Sequence, residues 1–147
     1  MIRKSNSLTL TIIFTALFAG ILTVLTFACP WIVRGLCVLF RREYLEQFLI
    51  LVTYAAVPAG WGAIYCLFRL LFNMRKEIVF DSKNVTLLNV LSLLCIYVGL
   101  ISAAGAIKFI VFALISAAAL FVGLIVRVVS VIISKAIEIK EENDMTI

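Results

Sequence analysis

Three uncharged stretches of 22 or 23 residues constrain this chain more than any other feature of its sequence. They cover residues 8–29, 47–68 and 85–107, and a fourth apolar stretch, 109–133, contains one charged residue, Arg127. A helix needs about 20 residues to cross a hydrocarbon core of about 30 Å. The sequence therefore predicts an all-α, integral membrane four-helix bundle made of two transmembrane hairpins, with approximate spans at 8–29, 47–69, 85–107 and 109–133.

The composition is typical of an integral membrane protein. Of the 147 residues, 65% are hydrophobic and 14% are charged, whereas about a quarter of the residues of a soluble domain are charged. The polar remainder is too scattered to form a separate soluble domain, so we expect a single membrane domain, 1–147. The first apolar stretch is longer than the core of about 7–15 residues in a signal peptide, so an uncleaved first helix is expected.

The distribution of Lys and Arg predicts the orientation of the chain. Nine of the thirteen basic residues lie on the cytoplasmic side if both termini are inside, and the other four are Arg34, Arg41, Arg42 and Lys108. Cytoplasmic boundaries favour basic residues. We therefore expect a multi-pass protein of the cell membrane with both termini in the cytoplasm, a cytoplasmic connector at 74–84 and a cytoplasmic tail at 134–147.

The segment after the first span mixes apolar and charged residues. Pro30 and Trp31 predict the end of the first helix, and 31–46 predicts a short amphipathic helix on the membrane surface. Its basic cluster is either an anion or peptide sensor or an interfacial connector whose charges reach water. Cys29 and Cys37 would lie near one another on the outer side, but spacing alone does not decide whether they form a disulfide.

Two intramembrane features have both a structural and a functional interpretation. Pro58 deprives the carbonyl of Tyr54 of its helical donor and predicts a kink, which serves either helix packing or gating. Arg127 either reaches the inner interface, pairs with a carboxylate of the tail or has a role in transmitting a change. Asn89 is expected near the inner boundary, solvated or paired with a neighbouring helix.

The connector and the tail carry the residues that we single out for partner binding. Asp81 is expected to cap the third helix, with Asn84 at its third position and Phe80 packing on Val85. The tail ends in an acidic cluster, and it is either solvated or docks on the basic connector or on a soluble partner. The candidate partner-binding residues are Arg75, Lys76, Phe80, Asp81, Asn84, Glu141, Glu142, Asn143, Asp144, Thr146 and Ile147.

The sequence offers no evident catalytic chemistry. It has no histidine, its four cysteines form no CxxC pair, and its spans contain no carboxylate, so we predict no catalytic residue, no cofactor and no metal site. The basic residues lie scattered at helix ends instead of forming a dense patch. Direct contact with nucleic acid is therefore not expected.

Two cytoplasmic stretches resemble a known family. FDSKNVTLLNVLS at 80–92 and AIEIKEENDMTI at 136–147 are similar to the junction and the C-terminal signature of small bacterial four-helix integral membrane proteins of unknown function. The family's junction usually reads Phe-Thr/Ser-x-Glu-Asn, so Asp81 replaces a hydroxyl cap and Lys83 replaces a glutamate. Members commonly have a helix-turn-helix regulator of the Cro/repressor type as a gene neighbour, which implies such a partner.

These observations lead to two functional hypotheses. In the first, a non-enzymatic membrane protein anchors or modulates a cytoplasmic helix-turn-helix transcriptional regulator through its connector and tail. In the second, a small transporter, channel or immunity-type protein acts within the bilayer, although few ionisable groups in the spans offer a polar pathway. The bilayer is a partner in both cases, and a homo-oligomer is left open.

Overall fold

Four long helices contain nearly all of the residues that the structure describes. The structure is a computed structural model, and it describes residues 2–76 and 81–145, with side chains from residue 6 onward. The helices are α1 (Ile2–Leu39), α2 (Glu46–Arg75), α3 (Ser82–Ala106) and α4 (Val111–Met145), and a 3₁₀ turn, Glu43–Leu45, precedes α2. These described ranges contain no strand. The prediction of an all-α, four-helix fold is confirmed.

The outward faces of the helices are apolar. All four helices are long and apolar enough to cross a membrane, and large side chains such as Phe14, Phe27 and Trp31 are 60%, 80% and 81% exposed. A soluble monomer does not expose apolar surface on this scale, because water disfavours it. The chain is therefore a multi-pass membrane protein built from two transmembrane hairpins, α1–α2 and α3–α4.

The helices pack in chain order, α1 on α2, α2 on α3, and α3 on α4, and the last of these interfaces is the most extensive. Consecutive helices run in opposite directions, so the two short turns at 40–45 and 107–110 meet at one end of the molecule. There the rings of Phe40 and Phe109 pack edge to face with centroids 5.1 Å apart. We call this the turn end, and we call the opposite end, where α2 finishes and α3 begins, the connector end.

Small residues explain why α3 and α4 lie so close together. A Cβ atom added to Gly99 would lie 2.6 Å from Cγ of Leu120 and 3.3 Å from its backbone nitrogen. At this distance serine hydroxyls of one helix reach carbonyls of the other: Ser116 donates to Gly99 at 2.7 Å and Ser92 to Gly123 at 2.9 Å. In lipid no hydrophobic driving force acts between helices, because the acyl chains are as apolar as the helix surfaces. Close packing and interhelical hydrogen bonds hold the helices together instead.

The prediction that α1 ends at Pro30 is wrong, because the helix continues through this proline to Leu39. Pro30 has no N–H to offer to the carbonyl of Thr26, four residues earlier. The hydroxyl of Tyr54 on α2 donates to that carbonyl instead, at 3.3 Å. A neighbouring helix thus supplies the missing donor, which is how membrane helices tolerate proline.

The actual end of α1, Leu39, lies eight residues beyond Trp31 and is followed by a turn centred on Arg41. The N–H of Arg42 donates to Cys37 at 2.8 Å and that of Arg41 donates to Val38 at 3.2 Å. These are the two bonds of a Schellman motif, in which the left-handed position belongs to Arg41, with φ 54°. The amphipathic surface helix predicted at 31–46 is therefore replaced by the end of α1, this turn and the 3₁₀ turn.

The continuous α1 also settles the question of a disulfide between Cys29 and Cys37. Both thiols are free and buried, in a core with Val33, Leu49 and Phe109. Eight residues along one helix separate the two cysteines by about 12 Å, whereas a disulfide needs Cα atoms within about 7 Å. The expectation that they lie near one another fails because no chain reversal occurs between them.

Candidate functional site

The start of α3 holds two of the predicted partner-binding residues in structural roles. Asp81 caps the helix, and its Oδ1 accepts a hydrogen bond from the N–H of Lys83 at 3.3 Å. Asn84 is only 2% exposed, and its Oδ1 accepts from Nδ2 of Asn73 at 2.8 Å. This amide pair joins the end of α2 to the first turn of α3. Phe80 lies outside the described residues, as does its predicted contact with Val85.

The end of α2 presents two positive charges. Arg75 is the last residue of the helix, and the backbone N–H of Lys76 closes its final turn on the carbonyl of Phe72 at 3.1 Å. Both side chains are exposed. Positive charge at a helix C-terminus interacts favourably with the helix dipole. Arg75 and Lys76 therefore do not need a partner to stabilise their charges, and their exposed side chains are accessible to one.

A polar cluster lies between α3 and α4 near the connector end, and in it Asn89 is paired with a neighbouring helix, one of the two alternatives that the sequence left open. Oδ1 of Asn89 accepts two hydrogen bonds, from Nη1 of Arg127 at 2.9 Å and from Oγ of Ser130 at 2.6 Å. Ser130 is 2% exposed, whereas Arg127 lies on the outer surface of α4. Arg127 is therefore paired with an amide of the neighbouring helix instead of a tail carboxylate. Asn89 and Arg127 are recognisable in the sequence as polar residues within apolar stretches, but their pairing depends on the register between α3 and α4.

The length of α4 sets the position of the acidic tail. Three hydrogen bonds fix the register of α3 against α4: Ser116 to Gly99, Ser92 to Gly123, and Ser130 to Asn89. Continued toward the connector end, this register places Ser82 level with about residue 135. Since α4 is helical as far as Met145, its last ten residues or so extend about 15 Å beyond the start of α3. We call residues 136–145 the projecting end.

The projecting end carries four of the predicted partner-binding residues. Glu141, Glu142, Asn143 and Asp144 all have exposed side chains. Thr146 and Ile147 lie outside the described residues. No described contact joins Arg75 or Lys76 to Glu141 or Asp144, so docking of the tail on the connector stays a prediction.

The structure offers no metal centre in the part of the chain that it describes. No three side chains of His, Cys, Asp or Glu are grouped there closely enough to hold an ion. The four cysteines are free, and three of them are buried among apolar side chains. At the connector end the described side chains offer charge at Arg75 and Lys76 and hydrogen bonding at Asn73 and Asn84.

Residues 30–147 match a family that is described as Protein of unknown function (DUF2975). The chain belongs to this family. The DUF2975 match begins at Pro30 in α1 and includes α2, α3, the connector and the projecting end. No curated protein and no solved structure matches the chain. Membership of DUF2975 agrees with the resemblance to a family of unknown function, while the C-terminal signature and the regulator neighbours stay predictions.

Proposed function

We propose that this member of the DUF2975 family is a non-enzymatic membrane anchor that binds a cytoplasmic helix-turn-helix regulator through the projecting end of α4. The observation that carries the proposal is the extension of α4 by about 15 Å beyond the start of α3. A helix that only crossed the bilayer would not need it. In the proposed orientation this end enters the cytoplasm of a cell-membrane protein whose two termini are both inside.

The charge of the projecting end supports a partner. Glu141, Glu142 and Asp144 stand in the last turns of α4, and the final turn contains no basic residue. Carboxylates at a helix C-terminus oppose the helix dipole, each by about 0.3–1 kcal/mol at an exposed site. The placement of these carboxylates therefore lowers the stability of the isolated helix. A cationic partner surface would convert the same charges into favourable contacts.

A helix-turn-helix regulator offers such a surface, because proteins of this class bind DNA phosphates through Lys and Arg. The helical projecting end would compete with DNA for these residues, or hold the regulator at the membrane. Arg75, Lys76 and the capped start of α3 lie at the same end of the molecule. A shift of α2 against α3 would thus alter the surface around the bound regulator.

Co-purification of the 147-residue chain with a helix-turn-helix regulator of the Cro/repressor type, the class that the family resemblance implies as a gene neighbour, tests the proposal. The variant Glu141→Lys/Glu142→Lys/Asp144→Lys should weaken the association by at least about tenfold, because three attractive charges become repulsive. Raising the salt concentration should weaken the wild-type complex as well. Truncation after Lys140 should have the same effect as the triple variant.

The matched control is Glu43→Lys, which reverses an exposed charge at the turn end. It should leave the association unchanged. All of the altered side chains are exposed, so the variants should fold like the wild type. No association of the wild-type protein, or an association that the triple variant leaves intact, would contradict the proposal.

A further inference from the structure

A partly open cavity of about 500 Å³ lies between α1 and α2 on one side and the turn-end parts of α3 and α4 on the other. Phe18 and Leu22 line the part farthest from the turns, Leu36 lines the part nearest to them, Phe109 of the α3–α4 turn contributes its ring, and Phe112 does so from the start of α4. The lining is almost wholly apolar. Binding sites for small molecules commonly enclose about 300–1,000 Å³, so the cavity is large enough for a ligand and suited to an apolar one.

Four basic residues lie at the turn end of the molecule, and two of them are already engaged. Nε of Arg34 lies 3.1 Å from Oε1 of Glu46, which neutralises that charge. A guanidinium N–H of Arg42 donates to the backbone carbonyl of Lys108 and so ties the α1–α2 turn to the α3–α4 turn. The remaining two, Arg41 and Lys108, have exposed side chains.

Arg41 and Lys108 each precede or follow an aromatic residue at the turn end, where the ring of Phe109 lines the cavity. Lys108 immediately precedes Phe109, which lines the cavity and packs on Phe40, the neighbour of Arg41. The ammonium of Lys108 lies 4.4 Å from the centroid of the Phe48 ring, a contact that leaves its N–H donors available. The side chain of Arg41 forms no hydrogen bond or ion pair with the described residues. Two positive charges thus lie on the turns next to the turn-end part of the cavity lining.

The backbone of Arg41 adds an independent observation. Its φ of 54° is in the left-handed region, where glycine is the preferred residue and a side chain adds strain. Local geometry therefore does not account for arginine at this position. A strained residue is a starting point for a functional hypothesis about its side chain, and here the residue belongs to a turn next to the cavity.

We propose that the cavity holds one acyl chain of an anionic phospholipid from the surrounding bilayer, with the lipid phosphate bound by Arg41 and Lys108. Acyl chains surround this part of the helices in the bilayer. Contact between an acyl chain and the apolar lining is more favourable than contact between water and the lining. Guanidinium and ammonium groups bind phosphate through charge-assisted hydrogen bonds. The site lies at the opposite end of the molecule from the proposed regulator contact and does not depend on it.

Native mass spectrometry of the full-length protein, released from nanodiscs of equal parts phosphatidylglycerol and phosphatidylcholine, tests the headgroup contact. We expect retained phosphatidylglycerol in clear excess. The variant Arg41→Gln/Lys108→Gln should lower that preference by at least about tenfold, because it removes both phosphate contacts. Its matched control, Lys83→Gln/Lys135→Gln at the connector end, should keep the preference. An unchanged preference in the first variant, or no preference in the wild type, would overturn the proposal.

A second variant tests the acyl chain. Ala56 lines the cavity, and Ala56→Phe should fill part of it and reduce the retention of both lipids. Ala118→Phe, at an exposed position of α4, is the matched control and should retain lipid as the wild type does. Circular dichroism confirms that both variants fold. Full lipid retention in Ala56→Phe would overturn the proposal. A wild-type protein that forms a dimer, retains no lipid and becomes monomeric in this variant would also overturn it, because a second copy of the chain would then occupy the cavity.

Discussion

Two tyrosine hydroxyls donate to backbone carbonyls that lie one turn before a proline. Tyr54 donates to Thr26, the carbonyl that Pro30 leaves without a donor, and Tyr97 of α3 donates to Ala55, three residues before Pro58, at 3.2 Å. In lipid an unpaired backbone group costs several kcal/mol, because no water is present to bind it. Pro30 therefore stays inside α1 with the hydroxyl of Tyr54 in place of the missing donor, and Tyr97 adds a second hydrogen bond between helices next to Pro58.

Arg41 permits a direct test of backbone strain. Arg41→Gly should raise the free energy of unfolding by about 1 kcal/mol, because glycine adopts the left-handed conformation without the steric cost of a Cβ atom. Thermal unfolding in detergent, followed by circular dichroism, measures the change.

The control for this prediction is Arg41→Ala, which removes the same charge and keeps the strained backbone. It should show no gain in stability. If both variants were stabilised equally, relief of charge repulsion at the turn end would explain the result in place of backbone strain.

The polar residues show which parts of the candidate site were predictable from the sequence. Capping by Asp81 was predictable, because it depends on a side chain and an N–H two residues apart. The partners of Asn84 and Asn89 were not. Asn73 and Arg127 meet them across helix interfaces, and the register of one helix on another results from packing along its whole length.

At the level of helices, the uncharged stretches predicted the number of helices but not their ends. The segment expected to leave the membrane after Pro30 continues as α1 for nine more residues. A sequence-based prediction that proline ends a helix considers only the missing N–H of the proline. Here the hydroxyl of Tyr54 on α2 supplies a donor in its place, so α1 continues. The Schellman motif at Arg41 ends the helix without the glycine that usually marks this position in a sequence.

Close packing of α3 on α4 predicts a large difference between two Gly→Ala substitutions. Gly99→Ala should destabilise the protein by about 1–3 kcal/mol, because its new Cβ would overlap Leu120 and force the helices apart. Gly20→Ala in α1 is the matched control, since nothing lies within 4 Å of its added Cβ. It should be neutral or stabilise the protein by up to about 1 kcal/mol through helix propensity.

Thermal unfolding of both glycine variants, with the separation of spin labels on α3 and α4 as a second measurement, checks this prediction. Gly99→Ala should increase the separation and Gly20→Ala should leave it unchanged. Equal melting temperatures would contradict the prediction. They would show that the side chain of Leu120 moves aside at little cost, and that close packing of α3 on α4 does not require a glycine at position 99.

At the level of the whole molecule, polar contacts connect the two hairpins at both ends. Arg42 bonds the carbonyl of Lys108 at the turn end, and Asn73 bonds Asn84 at the connector end. The two ends nevertheless differ in character. The turn end is compact and basic beside an apolar cavity, whereas at the connector end α4 extends beyond its neighbours and carries an acidic surface.

Nine basic residues on one side and four on the other predict the orientation of the molecule, and labelling of single added cysteines tests this prediction. Tyr44 is 80% exposed at the turn end, and Lys83 and Ile139 are exposed at the connector end and on the projecting end. Tyr44→Cys should react with a membrane-impermeant maleimide on intact cells. Lys83→Cys and Ile139→Cys should react only after permeabilisation.

The wild-type chain is the control for this labelling, because Cys29, Cys37 and Cys66 are buried and Cys95 lies half-buried within α3. It should stay unlabelled in both conditions. The reverse pattern, with Lys83→Cys and Ile139→Cys labelled on intact cells, would place the acidic projecting end outside. A cytoplasmic regulator could then not reach it, so the orientation and the proposed partner would fail together, while the lipid site at the turn end would move to the inner leaflet, where anionic lipids are concentrated.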